Sequence, residues 1–164
     1  ETSRRTPRCP VPRHCIGPGD SVRGPEDTMV DPNRMNILIF DPDRDMSELF
    51  ARALETCRGS KCYLASEEDE VLALLKEVAF RLLLADLGLI MVNDFSLLRK
   101  VRRLFPQVVV VVDTFLHQRD GVSRAMELGA LGYILKPVQI EVFRKKIRDF
   151  LSIRHPGTDP DVHQ

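Results

Sequence analysis

Val108-Val109-Val110-Val111-Val112-Asp113-Thr114 places five β-branched residues in a row and ends them with two polar ones. Such side chains are stiff at χ1 and pack well on a pleated surface, so the run reads as a strand. It is continuously apolar rather than alternating, which is the pattern of a strand covered on both faces in a parallel sheet. Working outward, Phe95–Phe105 carries helical spacing through Leu98, Val101 and Leu104 and is stopped by Pro106. Gln118–Gly129 reads as a helix with a glycine C-terminal signal. Leu131–Leu135 then reads as a strand, and Val138–Ile153 as a helix that packs Phe143, Ile147, Phe150 and Leu151.

The same alternation extends toward the N-terminus. Asn36–Phe40 is a short apolar strand, and Met46, Leu49, Phe50, Ala53 and Leu54 form one face of a helix closed by Gly59. Lys61–Ser66 is a second strand, with Ser66 as the cap of a helix whose first turn is Glu67-Glu68-Asp69. Val71, Leu72, Leu74, Leu75 and Val78 follow at helical spacing, and Phe80–Ala85 is the third strand. Five strands alternating with five helices predict βαβ units, right-handed crossovers and a doubly wound parallel sheet of the α/β class.

Composition bounds what this sheet can serve. The chain has 164 residues, enough for one domain with a substantial core. Lys+Arg and Asp+Glu are both 24, so there is no overall positive field of the kind that drives nucleic-acid binding, and none is expected. No apolar run approaches the ~18 residues of a membrane span, and the N-terminus lacks the apolar stretch of a secretory signal. Cys9, Cys15, Cys57 and Cys62 form no CxxC pair and read as thiols of a reducing cytoplasm.

Residues 1–34 hold six of the eleven prolines and six arginines with few large aliphatics, and read as a disordered extension. Residues 154–164 read as a disordered tail, leaving 35–153 as the folded domain with no output domain after it.

In an open parallel sheet, ligands bind beyond the carboxyl ends of the strands. Strand one ends at Asp41, with Asp43 two residues on; strand three ends at Asp86, strand four at Asp113-Thr114, and strand five at Lys136-Pro137. Taken singly these are a strand-end acid, a local hydroxyl cap and a solvated lysine, and Tyr133 is a packed strand aromatic. Together they bring carboxylates, a hydroxyl and an ammonium to one rim.

At these residues the chain resembles the receiver domains of two-component response regulators. Ile37-Leu38-Ile39-Phe40-Asp41 resembles the family's first strand, and Leu82-Leu83-Leu84-Ala85-Asp86-Leu87 its third strand with the phospho-acceptor. Thr114 follows Asp86 by 28 positions and Lys136 follows it by 50, both typical of the family. Gly129-Ala130-Leu131-Gly132-Tyr133-Ile134-Leu135-Lys136-Pro137 resembles the family's GA-x-x-Y-L-x-KP signature.

The resemblance implies a flavodoxin-like three-layer sandwich with strand order 2-1-3-4-5. It implies Asp86 as phospho-acceptor, with Lys136 and Thr114 against the phosphoryl oxygens and Thr114 and Tyr133 as the switch pair. It implies Mg²⁺ held by Asp41, Asp43, Asp86 and the Gly88 carbonyl, and a cis peptide before Pro137. A sensor histidine kinase or phosphotransfer protein would supply the phosphoryl group. A downstream protein, or a second copy in a homodimer, would dock on the fourth predicted helix, fifth strand and fifth predicted helix. Any catalysis would be limited to self-catalysed phosphoryl transfer and autodephosphorylation.

The chain departs from the family around the site. Pro42 stands where a second acid usually binds the metal, Phe115 where a small residue usually follows the threonine, and Asp113 adds a charge beside it. Ile90, Asn93 and Asp94 also replace a common proline, acid and glycine. Two readings follow: a phosphorylatable single-domain receiver, and a pseudo-receiver that docks proteins without phosphorylation. A flavin site is disfavoured, because the strand-end loops have no Ser/Thr/Gly-rich phosphate cradle.

Overall fold

The computed structural model describes residues 35–56, 59–115 and 118–153. The expected extension 1–34, the tail 154–164 and Cys9, Cys15 and Cys57 lie outside the described residues. The strands are β1 (Met35–Phe40), β2 (Ser60–Ala65), β3 (Leu82–Asp86), β4 (Val109–Thr114) and β5 (Gly132–Leu135). All pair in parallel, in the order β2-β1-β3-β4-β5. The helices are α1 (Arg44–Glu55), α2 (Glu68–Glu77), α3 (Leu87–Val92), α4 (Ser96–Leu104), α5 (Arg119–Glu127) and α6 (Ile140–Ser152). This is the doubly wound parallel α/β sheet the alternation predicts, in the flavodoxin-like strand order the resemblance implies.

The period-two alternation of a strand divides the core into two layers. Leu38, Phe40, Leu83, Ala85, Val110 and Val112 face one layer, which α2, α3, α4 and α5 cover through Val71, Leu75, Ile90, Leu97, Leu98, Val101 and Ala125. Ile37, Ile39, Leu82, Leu84, Val109 and Val111 face the other, which α1 and α6 cover. There the rings of Phe50 and Phe143 stack at 4.3 Å. Each fully buried large aliphatic or aromatic side chain contributes roughly 1.5–3 kcal/mol by leaving water.

Two local expectations need correction. Ser66 does not cap α2: the N-cap is Glu67, and the Ser66 amide instead donates to Glu70, at 3.0 Å. The segment between the third predicted strand and the Phe95–Phe105 helix, to which the pattern assigns no element, contains the short helix α3. Asp94 and Phe95, at φ 47° and 58°, then turn the chain through left-handed backbone into α4. Such geometry is uncommon for residues other than glycine. Burial of Phe95 and the bond from its amide to the Ile90 carbonyl at 3.0 Å hold it there. Periodicity could not separate α3 from α4, because Leu87, Ile90, Leu97 and Leu98 all face the same core layer.

Candidate functional site

The strand order reverses between β1 and β3, so the carboxyl ends of these two strands flank the crevice where an open α/β sheet binds ligands. Asp41 follows β1, Asp86 ends β3, and Asp113 lies next to last in β4. Each stands two residues beyond a side chain of the α1/α6 layer: Ile39, Leu84 and Val111. The two-residue period therefore turns all three carboxylates to that face. Asp86 and Asp113 are direct register partners. Lys136, two residues beyond Ile134 of the same layer, comes from β5 to meet them.

The Lys136 Nζ lies 3.0 Å from Asp86 Oδ2, 3.2 Å from Asp41 Oδ2 and 3.4 Å from Asp113 Oδ1. It donates hydrogen bonds to Asp86 and Asp41. Its contact with Asp113 is at ion-pair distance but lacks hydrogen-bond geometry, and both oxygens of Asp113 are buried without a hydrogen-bond partner among the described residues. Burial pushes the Asp113 pKa from 3.8 up to about 7; the Lys136 charge opposes this, and the Asp41 and Asp86 carboxylates add to it. Burial alone would lower the Lys136 pKa, but the carboxylates of Asp113, Asp86 and Asp41 outweigh it and hold the ammonium above the ordinary lysine value.

Asp86 is fixed by both oxygens. Oδ1 accepts from the Leu89 amide at 3.0 Å, capping α3, while Oδ2 accepts from Lys136. A Cβ on Gly88 would lie 2.9 Å from Oδ1, so glycine leaves the space in which the carboxylate turns back onto its helix. The Lys136–Pro137 peptide is cis.

Thr114 faces the opposite core layer. Its hydroxyl donates to Gln118 Oε1 at 2.6 Å, turned away from the carboxylates. Phe115 lies outside Lys136, with Nζ 4.9 Å from its ring centroid, so the ring covers the ammonium as expected from its position. Tyr133 is half exposed and lines a surface groove with Thr114, Phe115, Arg119, Met126 and Leu135.

The structure thus brings Asp41, Asp86 and Lys136 together, and it does not bring Asp43 to them. The Asp43 carboxylate caps α1 by accepting from the Met46 amide at 3.1 Å, and its own amide donates to Asp41 Oδ1 at 2.8 Å. The sequence places Asp113 at the same rim, as an added charge: ILIF, LLLA and VVVV are each four apolar residues followed by aspartate. Pairing adds that it lies beside Asp86. One oxygen from each of Asp41, Asp86 and Asp113 lies within 4.8 Å of the others, a set of hard oxygen donors compatible with a divalent cation such as Mg²⁺. Arg144 of α6 donates to the Ala53 carbonyl at 2.8 Å and ties α6 to α1.

Comparison with known proteins bears on the fold and the family. The chain is 28% identical over 117 residues to the transcriptional regulatory protein MalR of Bacillus subtilis, covering 71% of this chain and 50% of MalR. It therefore spans about half the length of that relative. A CheY-like receiver domain protein from Methanospirillum hungatei superposes with a TM-score of 0.63 at 28% identity, covering 72% of this chain and 94% of that one. A response regulator from Thermotoga maritima shares the fold at a TM-score of 0.67 and 23% identity, over 73% of this chain and 99% of that one. Among the described residues no helix is long and apolar enough to cross a membrane. The response regulator receiver domain model matches residues 37–148, and the chain belongs to that family.

Proposed function

We propose that this chain is a phosphoryl-accepting receiver, in which Asp86 takes a phosphoryl group from a phosphohistidine on a sensor histidine kinase or phosphotransfer protein. The observation that carries the reading is the buried contact between Asp86 and Lys136 at the carboxyl edge of the sheet. An Asp86 carboxylate oxygen attacks phosphorus, the bond from phosphorus to the imidazole nitrogen breaks, and the electron pair leaves with the imidazole. The Lys136 ammonium, already held by carboxylates, stabilises the charge on the phosphoryl oxygens. Asp41, Asp86 and the Gly88 carbonyl would hold Mg²⁺, which would supply positive charge against those same oxygens.

The response follows from Thr114. Its hydroxyl leaves Gln118 to bond a phosphoryl oxygen, and the space vacated beside it admits the half-exposed Tyr133. The change is then read on the α5–β5–α6 face by a downstream protein, or by a second copy of the chain. On this reading the chain works in the cytoplasm, within a two-component relay.

One observation favours the alternative of a phosphorylation-independent docking module. The Phe115 ring covers Lys136, and Asp113 adds a third carboxylate where a dianion must enter. Titration with beryllofluoride at fixed Mg²⁺, followed through the environment of Tyr133, separates the two. The receiver reading expects a saturable change that disappears in Asp86→Ala. A folded wild-type chain that does not respond would support the docking module instead.

A further inference from the structure

We infer that Asp113 has taken the place of the acid missing at position 42 and supplies the third carboxylate of a divalent-cation site with Asp41 and Asp86. The inference rests on the reading that the rim binds a cation, and adds which of this chain's residues holds it.

Immediately after Asp41 the chain offers no side-chain oxygen, and the next acid, Asp43, spends its carboxylate on the N-terminus of α1 at an exposed position. The β1–α1 loop therefore sends no second carboxylate inward. Across the sheet, β4 does. Asp113 is the register partner of Asp86, on the same face, and its side chain is 1% exposed.

Both Asp113 oxygens are buried and make no hydrogen bond among the described residues, while the Asp41 and Asp86 carboxylates each accept at least two. A buried carboxylate without hydrogen bonds is costly, and its persistence calls for an ion or solvent that completes it. Lys136 compensates it only in part, through an ion pair at 3.4 Å to one oxygen that lacks hydrogen-bond geometry.

Charge points the same way. With all three carboxylates ionised, one ammonium leaves two negative charges to be compensated in a buried site, which is the charge a divalent cation brings. The donors are all carboxylate oxygens, with no thiolate or imidazole in the cluster, so the site suits a hard cation of the Mg²⁺ or Mn²⁺ type. The site has thus moved from a loop acid to a strand acid, with Asp41 and Asp86 kept in common.

The test uses the full chain, stripped of metal, with Mn²⁺ as probe. Free Mn²⁺ is read by electron paramagnetic resonance in wild type, Asp113→Asn, Asp43→Asn and Asp86→Asn. Asp113→Asn is expected to weaken binding by at least about tenfold, and by more than Asp43→Asn does. Selective paramagnetic broadening of the Asp113 carboxyl carbon resonance, ahead of that of Asp43, is expected in the wild-type chain and needs no variant.

If Asp113→Asn binds like wild type while Asp86→Asn does not, the cation site stands without Asp113 and the inference fails alone. Loss of binding in Asp43→Asn, with the Asp113 resonance unbroadened, returns the role to the loop and overturns it as well. A wild-type chain that binds no Mn²⁺ at millimolar concentration removes both the inference and the cation reading beneath it.

Discussion

Asp86 and Asp113 are register partners on adjacent parallel strands, and both turn their carboxylates toward the Lys136 ammonium, at 3.0 and 3.4 Å. Only the first of these contacts is a hydrogen bond. Asp86 is therefore held in place, while its neighbour is a buried carboxyl at ion-pair distance from the ammonium with no hydrogen bond among the described residues. This asymmetry gives the site most of its testable behaviour.

Asp113 titrates near 3.8 as an ordinary carboxyl and near 7 in the fold. Between these values the folded state holds more protons than the unfolded state, so this group makes stability fall as pH rises. Below 3.8 both states are protonated and the contribution vanishes. Urea denaturation in chelator-containing buffer should therefore show wild type losing stability relative to Asp113→Asn from about pH 4 to about pH 7. The difference should reach a few kcal/mol, accumulating at up to about 1.4 kcal/mol for each pH unit crossed in that window. Parallel pH profiles would show that the carboxyl is not destabilised by its burial.

Gly88 permits the geometry of Asp86. In Gly88→Ala the new methyl would sit 2.9 Å from Asp86 Oδ1, which already accepts from the Leu89 amide while Oδ2 is held by Lys136. Alanine favours a helix over glycine by roughly 0.5–1 kcal/mol, and a lost N-cap costs about 1. Global stability should thus change little, while phosphoryl acceptance by Asp86 should fall by roughly tenfold or more, as expected when a reacting group is misplaced. Paired thermal melts and labelling rates check this; a loss of stability with no loss of labelling would contradict it.

Phe115→Ala uncovers Lys136. The ring is nearly half exposed, so its removal should cost no more than about 1.5 kcal/mol, including roughly 0.5–1 from the cation–π contact. Labelling by a small donor such as acetyl phosphate should accelerate severalfold. An unchanged rate would mean that the ring does not gate entry.

Gly132 sets how closely β5 approaches α6, and so where Lys136 arrives. A Cβ there would run into the Phe150 ring, and Gly132→Ala should destabilise by about 1–3 kcal/mol through overpacking. Adding Phe150→Leu should recover much of that loss. The double-mutant cycle reads the coupling directly, and strict additivity would show that the two positions do not meet.

The strands were legible because burial on both faces leaves uninterrupted apolar runs, such as Ile37–Phe40 and Val109–Val112, that few other structures require. The strand ends were legible for the same reason, since each run stops at a charge. What local pattern could not supply was register. Only pairing shows that Asp113 lies beside Asp86 and faces the same way, and only the cap on α1 shows that Asp43 is occupied elsewhere. Helix α3 was hidden because its apolar residues continue into α4, and the break between them is made by backbone geometry at Asp94 and Phe95, where no glycine announces a turn.

The most direct test of the account is intact-mass analysis of the chain after incubation with acetyl phosphate and Mg²⁺. The account predicts a gain of one phosphoryl group in the wild-type chain, labile to base, dependent on the cation and absent in Asp86→Asn. A folded wild-type chain that gains no mass at saturating donor, or one that is labelled equally well without Asp86, would contradict it.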